Sequence, residues 1–309
     1  MSHLLSSIDA RTKLVGENRL ELLLFNLGRS QIYAINVFKI QEVMSLPKLT
    51  IIPDSHPVVI GVTHLRGHTI PVVDLSAAVG MGRHKVDKNS TIIVTEYNRS
   101  IQAFAVAGVE RIVNMNWEEI MPPPRGSGAS HYLTAITKVD GRLIEIIDVE
   151  KVLAEIVPYN TKVSEEVLDS SILEKAYGRK ILSVDDSSVA RLQIKDTISS
   201  LGLEVVQAGN GQAGLDILLR AAEKTGNAAD EFLMVITDAE MPVMDGYRLT
   251  TEIRNNPKLA DLYVVLHTSL SGSFNEAMVK KVGCNAFLSK FQPDALASAV
   301  QDRIHNLYG

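Results

Sequence analysis

The chain has 309 residues, of which 46% are hydrophobic and 22% charged, and its formal net charge is −5 at pH 7. This length is too great for one ordinary core and suits two domains, while the composition excludes a largely disordered chain. The acidic balance argues against nucleic acid as a partner, and the single cysteine, Cys284, excludes a disulfide framework.

The N-terminal residues 1–17 are polar, and we expect them to form a tail without the apolar run of a secretory signal. The longest apolar runs, such as 232–236 and 262–266, fall far short of the roughly 20 residues that cross a bilayer. We therefore expect a cytoplasmic protein with no direct membrane insertion.

A first domain is predicted at residues 18–157, where short runs rich in β-branched residues alternate with Gly, Pro, Asn or Asp. The clearest runs are Glu21–Leu27, Gln31–Val37, Thr69–Leu75, Thr91–Thr95, Ile101–Val106 and Leu143–Ile147. Short strands with frequent turns are typical of an all-β barrel or sandwich. Residues 158–178 are predicted to be a linker, which is partly helical because Val163–Ala176 is compatible with a helix.

A second domain is predicted at residues 179–309, where short apolar runs alternate with windows of helical period. The apolar runs are 180–184, 204–207, 232–237, 262–267 and 286–288, and the helical windows are 187–201, 211–222, 247–255, 273–282 and 293–306. Strict alternation of five strands and five helices predicts an α/β, doubly wound, five-stranded parallel sheet of the flavodoxin-like kind.

The carboxyl ends of these predicted strands carry a set of chemically useful residues: Asp185 and Asp186, Asp238, Thr268 and Lys290. In an open parallel sheet, ligands bind beyond these ends. Clustered carboxylates favour Mg²⁺, and a carboxylate nucleophile such as Asp238 can form an aspartyl phosphate. The Thr268 hydroxyl and the Lys290 ammonium can then hold phosphoryl oxygens. Each residue alone could be an ordinary loop residue, but five at appropriate strand ends argue against that alternative.

The second domain resembles a response-regulator receiver domain of the CheY type. The resemblance covers residues 179–309 and is carried by the motifs Ile181–Asp186, Ile236–Gly246, Thr268-Ser269 and Lys290. It implies transfer of a phosphoryl group from a kinase phosphohistidine to Asp238.

The same resemblance implies Mg²⁺ bound by Asp185, Asp186, Asp238 and the backbone carbonyl of Ala239. It also implies a switch in which Thr268 and an aromatic residue, here Phe287, rearrange on phosphorylation. Phe287 lacks the hydroxyl of a tyrosine, and its alternative role is that of a core aromatic on the fifth strand. Glu240, two residues after Asp238, either faces the site or is a solvated loop residue.

The first domain resembles the CheW adaptor family over about residues 18–157. The specific part is Gly61–Leu75, with Leu65-Arg66-Gly67 at its centre, while Tyr33–Val43 and Val139–Asp148 match more diffusely. The resemblance implies paired SH3-like β-barrels that couple methyl-accepting chemoreceptors to a CheA-type histidine kinase by binding both.

Arg66 is the candidate contact that this resemblance implies for receptor coupling. The alternative is that Arg66 pairs with Asp74 or Glu42 to order a turn. A second candidate contact is apolar and consists of Val37, Ile40 and Val43, because exposed apolar patches often mark partner surfaces; the alternative for each is core packing.

An adaptor followed by a receiver resembles the CheV-type architecture. It implies a scaffold, not an enzyme, that is recruited to membrane-associated chemoreceptor arrays and modulated by phosphorylation at Asp238. The alternative is a phosphate sink that drains the kinase and whose receiver autodephosphorylates. A transcriptional regulator is disfavoured, because no helix-turn-helix segment follows the receiver and the charge is acidic.

Overall fold

The computed structural model describes residues 19–83, 90–97, 100–116, 119–121, 132–156, 161–241, 243–268, 282–290 and 292–309. Their contacts separate one compact unit, Arg19–Val157, from a second that includes Pro158–Gly309. The predicted helix at 273–282 lies almost wholly outside the described residues. Among the helices that are described, none combines the length and apolar character needed to cross a membrane.

The first unit is built from strands, as predicted, and its described residues form two five-stranded sheets. The strands are β1 (Arg19–Asn26), β2 (Ile32–Asn36), β3 (Ile40–Ser45), β4 (Val59–Leu65), β5 (His68–Asp74), β6 (Thr91–Tyr97), β7 (Ser100–Val106), β8 (Gly108–Asn116), β9 (Leu133–Val139) and β10 (Arg142–Ile147). Two short helices, α1 (Leu75–Ala78) and α2 (Val149–Ile156), follow β5 and β10. The all-β prediction for this region is confirmed.

The two sheets of this unit repeat one topology. Their strand orders are β8-β1-β2-β10-β9 and β3-β6-β7-β5-β4. Each sheet has a hairpin at one edge, β9–β10 in the first and β4–β5 in the second. The inner strand of each hairpin pairs in parallel with the next strand: β10 with β2, and β5 with β7. Strands at the same position in the two sheets correspond to one another. In this correspondence β3, β4, β5, β6 and β7 match β8, β9, β10, β1 and β2, so the two halves are related by a circular permutation.

The core of the first unit is shared by both sheets. Phe25 and Tyr33 come from one sheet, and Phe104 comes from the other. Leu153 of α2 packs into the same cluster. Consecutive residues of the central strands are buried on both faces, for example Ile32–Ile35 in β2, because each sheet also has a core cluster of its own.

The second unit contains a five-stranded parallel sheet flanked by helices on both faces, which confirms the predicted fold class. Its strands are β11 (Lys180–Val184), β12 (Glu204–Ala208), β13 (Phe232–Thr237), β14 (Val264–Thr268) and β15 (Ala286–Ser289), in the order β12-β11-β13-β14-β15. The longer helices described here are α4 (Ser188–Ser200), α5 (Gly211–Thr225), α6 (Gly246–Asn255) and α7 (Pro293–Tyr308). Strand order reverses at β11 and β13, which places a binding site at their carboxyl ends.

Three of the four longer helices described in the second unit begin at side chains that cap free backbone amides. Ser187 begins α4, Asn210 begins α5 and Asp245 begins α6, each accepting a hydrogen bond from an amide in the first turn. The helices α4 and α7 pack on one face of the sheet, and α5 and α6 pack on the other.

The segment predicted as a linker, 158–178, is grouped by its contacts with the second unit. Its described part contains the single turns Glu165–Val167 and Glu174–Ala176 and a short helix, α3 (Ser170–Leu173). Ala176 is fully buried. The predicted domain bounds remain predictions, but this segment is packed rather than free because its apolar side chains find a partner on the sheet's α4 and α7 face.

Candidate functional site

The predicted site residues meet at the carboxyl edge of the parallel sheet. Backbone hydrogen bonds continue just past the strand ends: Asp238 N donates to Val184 O at 2.8 Å, and Lys290 N donates to Thr268 O at 3.0 Å. The sheet itself therefore holds Asp238 and Lys290 in place.

Three carboxylates form the acidic part of this site. One oxygen each from Asp185, Asp186 and Asp238 lies within 4.8 Å of the other two. Asp185 is fully buried and Asp238 is only 5% exposed, whereas Asp186 is partly exposed. Buried carboxylates at this spacing repel one another, and a hard divalent cation relieves that repulsion. The donor set therefore fits Mg²⁺.

Lys290 supplies the positive charge of the site. Its Nζ lies 2.8 Å from Asp185 Oδ2 and 3.1 Å from Asp238 Oδ2, and its side chain is 2% exposed. The other oxygen of Asp238, Oδ1, accepts a hydrogen bond from the amide of Ala239 at 2.8 Å. Both oxygens of the candidate acceptor are thus oriented by fixed donors.

The loop after Asp238 is closed by a backbone contact that sequence reasoning missed. A Cβ placed on Gly246 would meet the carbonyl oxygen of Asp238 at 2.0 Å. In addition, Gly246 N donates to Ala239 O at 3.1 Å. Only glycine permits this approach, and the signal that could have revealed it is the Asp245-Gly246 pair at the start of a helix.

This backbone contact bears on one predicted ligand. The Ala239 carbonyl already accepts from Gly246 N, which uses one of its two lone pairs. The structure therefore brings together the three carboxylates of the predicted magnesium site, and a fourth ligand at Ala239 stays a prediction.

Two titratable groups on and just before α6 have raised pKa values. Burial raises the pKa of Asp245, the residue that caps α6. Burial, and then the carboxylates of Glu240 and Asp238, raise the pKa of Tyr247.

The two predicted switch residues lie on neighbouring strands. Thr268 is buried at the end of β14. Phe287 stands opposite Leu266 in the pairing of β14 with β15 and is half-buried. It packs against the cluster of Ala239, Tyr247 and Leu266, so it contacts the loop that follows the acceptor. Its switch role remains a prediction.

The candidate adaptor contacts have mixed surroundings. Arg66 is at a hairpin turn, with a side chain that is 76% exposed, and its guanidinium lies 2.6 Å from Glu42 Oε2. The alternative in which Arg66 pairs with Glu42 is thus realised, and a partner role stays a prediction. Val37 and Ile40 pack partly against the core, whereas Val43 is 40% exposed.

Comparison with known proteins matches the two units to two families. The model of the CheW-like domain matches residues 21–157, and the model of the response regulator receiver domain matches residues 181–301. The chain is 29% identical to chemotaxis protein CheV3 of Helicobacter pylori over 276 residues, which cover 87% of both chains.

Shorter relatives match each part separately. Chemotaxis protein CheW of Klebsiella aerogenes is 31% identical over 146 residues, which cover 46% of this chain and 87% of that protein. A chemotaxis protein CheY homolog of Campylobacter jejuni is 31% identical over 125 residues, which cover 40% of this chain and 90% of that protein.

Proposed function

We propose that this chain couples chemoreceptors to a CheA-type histidine kinase under the control of its own phosphorylation. The chain belongs to the CheV-type chemotaxis proteins, in which a CheW-like domain is joined to a receiver domain. The observation that carries the regulatory part is the cluster of Asp185, Asp186 and Asp238 with Lys290, of which all but Asp186 are buried. A coupling domain alone has no use for such a cluster.

The chemical step is attack by the Asp238 carboxylate on the phosphorus of a kinase phosphohistidine. A P–O bond forms as the P–N bond breaks, and the imidazole leaves with the bonding electrons. Asp185, Asp186 and Asp238 would hold Mg²⁺, which neutralises phosphoryl charge. Lys290, already next to Asp238 Oδ2, pairs with an equatorial phosphoryl oxygen, and the Thr268 hydroxyl donates to another.

The regulatory effect follows from two receiver states that phosphorylation stabilises unequally. Thr268 moves toward the new phosphoryl oxygens, and Phe287, on the next strand, follows by repacking against the acceptor loop. The CheW-like domain meets receptor and kinase through Arg66 and through the apolar contact, of which Val43 is the exposed member.

The deciding experiment reconstitutes receptor-coupled kinase activity with the wild type and with Asp238→Asn. We expect labelled kinase to transfer phosphate to the wild type in the presence of Mg²⁺ and to transfer none to Asp238→Asn or after EDTA. The matched control is Asp196→Asn, an exposed aspartate on α4, which should be labelled like the wild type.

Coupled kinase activity then separates modulation from the phosphate-sink alternative. A modulator changes kinase activity in the wild type as label accumulates, and it leaves activity constant in Asp238→Asn. A label that decays within seconds, with coupling unchanged, supports the sink. Persistent labelling of Asp238→Asn would refute Asp238 as the acceptor.

A further inference from the structure

The segment Thr161–Ala176, here called the strap, runs along the whole of helix α7. At the first turn, Ser164 donates through its amide and its hydroxyl to the Asp294 carboxylate, at 2.8 and 2.9 Å. In the middle, Gln301 accepts from the amide of Asp169 at 2.6 Å and donates to Val167 O at 2.8 Å. At the last turn, Lys175 Nζ donates to Tyr308 O at 3.1 Å.

Apolar packing reinforces these hydrogen bonds. The strap's apolar side chains lie against α4 and α7 and join the core on that face of the sheet. The contributing strap residues are Val163, Val167, Ile172, Leu173 and Ala176, and they meet Ile194, Ile198, Leu296, Ala297, Val300 and Ile304. The strap is therefore a docked element with a defined register.

The start of the strap borders a small cavity beside the phosphorylation switch. The cavity has a volume of about 20 Å³ and is lined by Thr161, Gln193, Ile194, Thr197, His267 and Leu296, among others. That is room for about one water. Within the described residues, neither polar atom of the Gln193 side chain, which is 4% exposed, has a hydrogen-bond partner. Hydrogen bonding is thus less complete around this cavity than along the rest of the strap's contact surface.

His267 connects this cavity to the acceptor site. It immediately precedes Thr268 on β14, and consecutive side chains of a strand point to opposite faces. His267 is buried on the α4 and α7 face, where it lines the cavity. A shift of Thr268 toward Asp238 therefore moves the backbone that also carries His267.

We propose that the strap reports the phosphorylation state of Asp238 through β14. When Thr268 moves toward the phosphoryl group, His267 is drawn away from Thr161, the cavity widens, and the strap loosens from α7 at the end nearest the CheW-like domain in the chain. This inference rests on the proposed function, because it requires a phosphoryl group on Asp238. It assigns to the strap the step between the receiver and the adaptor.

The test uses hydrogen exchange of the full chain with Mg²⁺ and beryllium fluoride, which mimics a phosphoryl group on an aspartate. The amides of Ser164 and Asp169 report docking because both donate to α7 side chains. We expect their exchange to accelerate at least about tenfold on saturation. The amide of Ala213, capped by Asn210 on the other face, should be unchanged.

Three variants sharpen this result. His267→Leu should bind beryllium fluoride but change strap exchange by less than about twofold. Asp294→Asn should speed Ser164 exchange without any ligand, whereas Asp302→Asn, exposed on the same helix, should not. Because Asp294 and Asp302 are both exposed, this pair does not depend on a core substitution that could impair folding.

The possible outcomes distinguish failure of this inference from failure of the proposed function on which it rests. Fluorine NMR detects whether beryllium fluoride binds in the wild type and is lost in Asp238→Asn. Absence of binding overturns the acceptor site and the inference together. Binding with unchanged strap amides, an equal response in His267→Leu, or no effect of Asp294→Asn overturns the inference alone.

Discussion

At the residue scale, the position of Asp238 depends on a glycine eight residues later. The carbonyl of Asp238 would collide with any Cβ at position 246, at 2.0 Å. The same glycine donates its amide to Ala239 O and opens helix α6. The acceptor carboxylate is therefore aimed by backbone contacts as well as by Lys290.

We expect Gly246→Ala to push the backbone of Asp238 out of place. Overpacking of this kind costs about 1–3 kcal/mol of unfolding free energy. It should also lower phosphoryl labelling by the kinase, since the acceptor oxygens lose their alignment with Lys290. Urea unfolding followed by circular dichroism, together with a labelling assay, measures both effects.

The matched control is Gly209→Ala in the same unit. The nearest atom to a Cβ there is a guanidinium nitrogen of Arg191 at 3.8 Å, which is ordinary contact with a flexible side chain. Stability and labelling should both stay close to the wild type. Equal behaviour of the two alanine variants would show that Gly246 has no special part in the site.

The predictable part of this site follows from strand periodicity. The sequence predicts Asp185, Asp238, Thr268 and Lys290 together because each ends an apolar run, and parallel strands end at one edge. Gly246 enters the sequence prediction only as the last residue of the motif Ile236–Gly246. Its contact with Asp238 depends on the path of the loop, which no periodicity records.

At the element scale, two hairpins occupy equivalent places in the repeated sheets of the CheW-like unit. Their turns are Arg66-Gly67 and Asp140-Gly141, and all four residues have positive φ. Two-residue turns with positive φ at both positions favour Asn-Gly or Asp-Gly. Arg66, at φ +48°, is therefore the unfavourable residue of the four.

This geometry allows the partner role of Arg66 to be tested apart from folding. We expect Arg66→Asn to leave unfolding free energy within about 1 kcal/mol of the wild type, since relief at the turn offsets an exposed ion pair with Glu42. If Arg66 contacts a partner, binding to a reconstituted receptor–kinase complex should weaken about tenfold or more.

Asp140→Asn is the control in the other hairpin. It changes the equivalent turn position and removes the ion pair that Asp140 makes with Arg111. Binding should stay near the wild-type value. Retained binding in Arg66→Asn, or an equal loss in both variants, would leave Arg66 with only its structural pairing to Glu42.

Two features of the fold, the duplication of the sheets and the docking of the strap, could not be predicted from the sequence. The strands were recognisable from apolar alternation, but the duplication of the sheets was not, because β3 to β7 match β8, β9, β10, β1 and β2 in permuted order. The sequence predicts a partly helical linker at residues 158–178, which include the strap. Its apolar residues are compatible with a helix in isolation, and only the α4 and α7 surface shows where they pack.

At the scale of the whole molecule, the receiver and the strap form one unit by their contacts, although the motifs of the receiver begin only at β11. Removing the strap would expose the apolar residues of α4 and α7 that it covers. A stable receiver should therefore begin before β11, with the strap included.

A receiver that begins at residue 179 should be less stable than one that begins at residue 161 by about 3 kcal/mol, the value of a few half-buried aliphatic side chains. Thermal unfolding of the two fragments measures the difference.

Within the longer fragment, Ile172→Ala should lower the melting temperature because Ile172 packs into the core. Leu168→Ala should not, because Leu168 is exposed. Equal melting of both fragments would mean that the strap's packing adds nothing to receiver stability. The strap would then be docked too weakly to carry a signal from Asp238 toward the CheW-like domain.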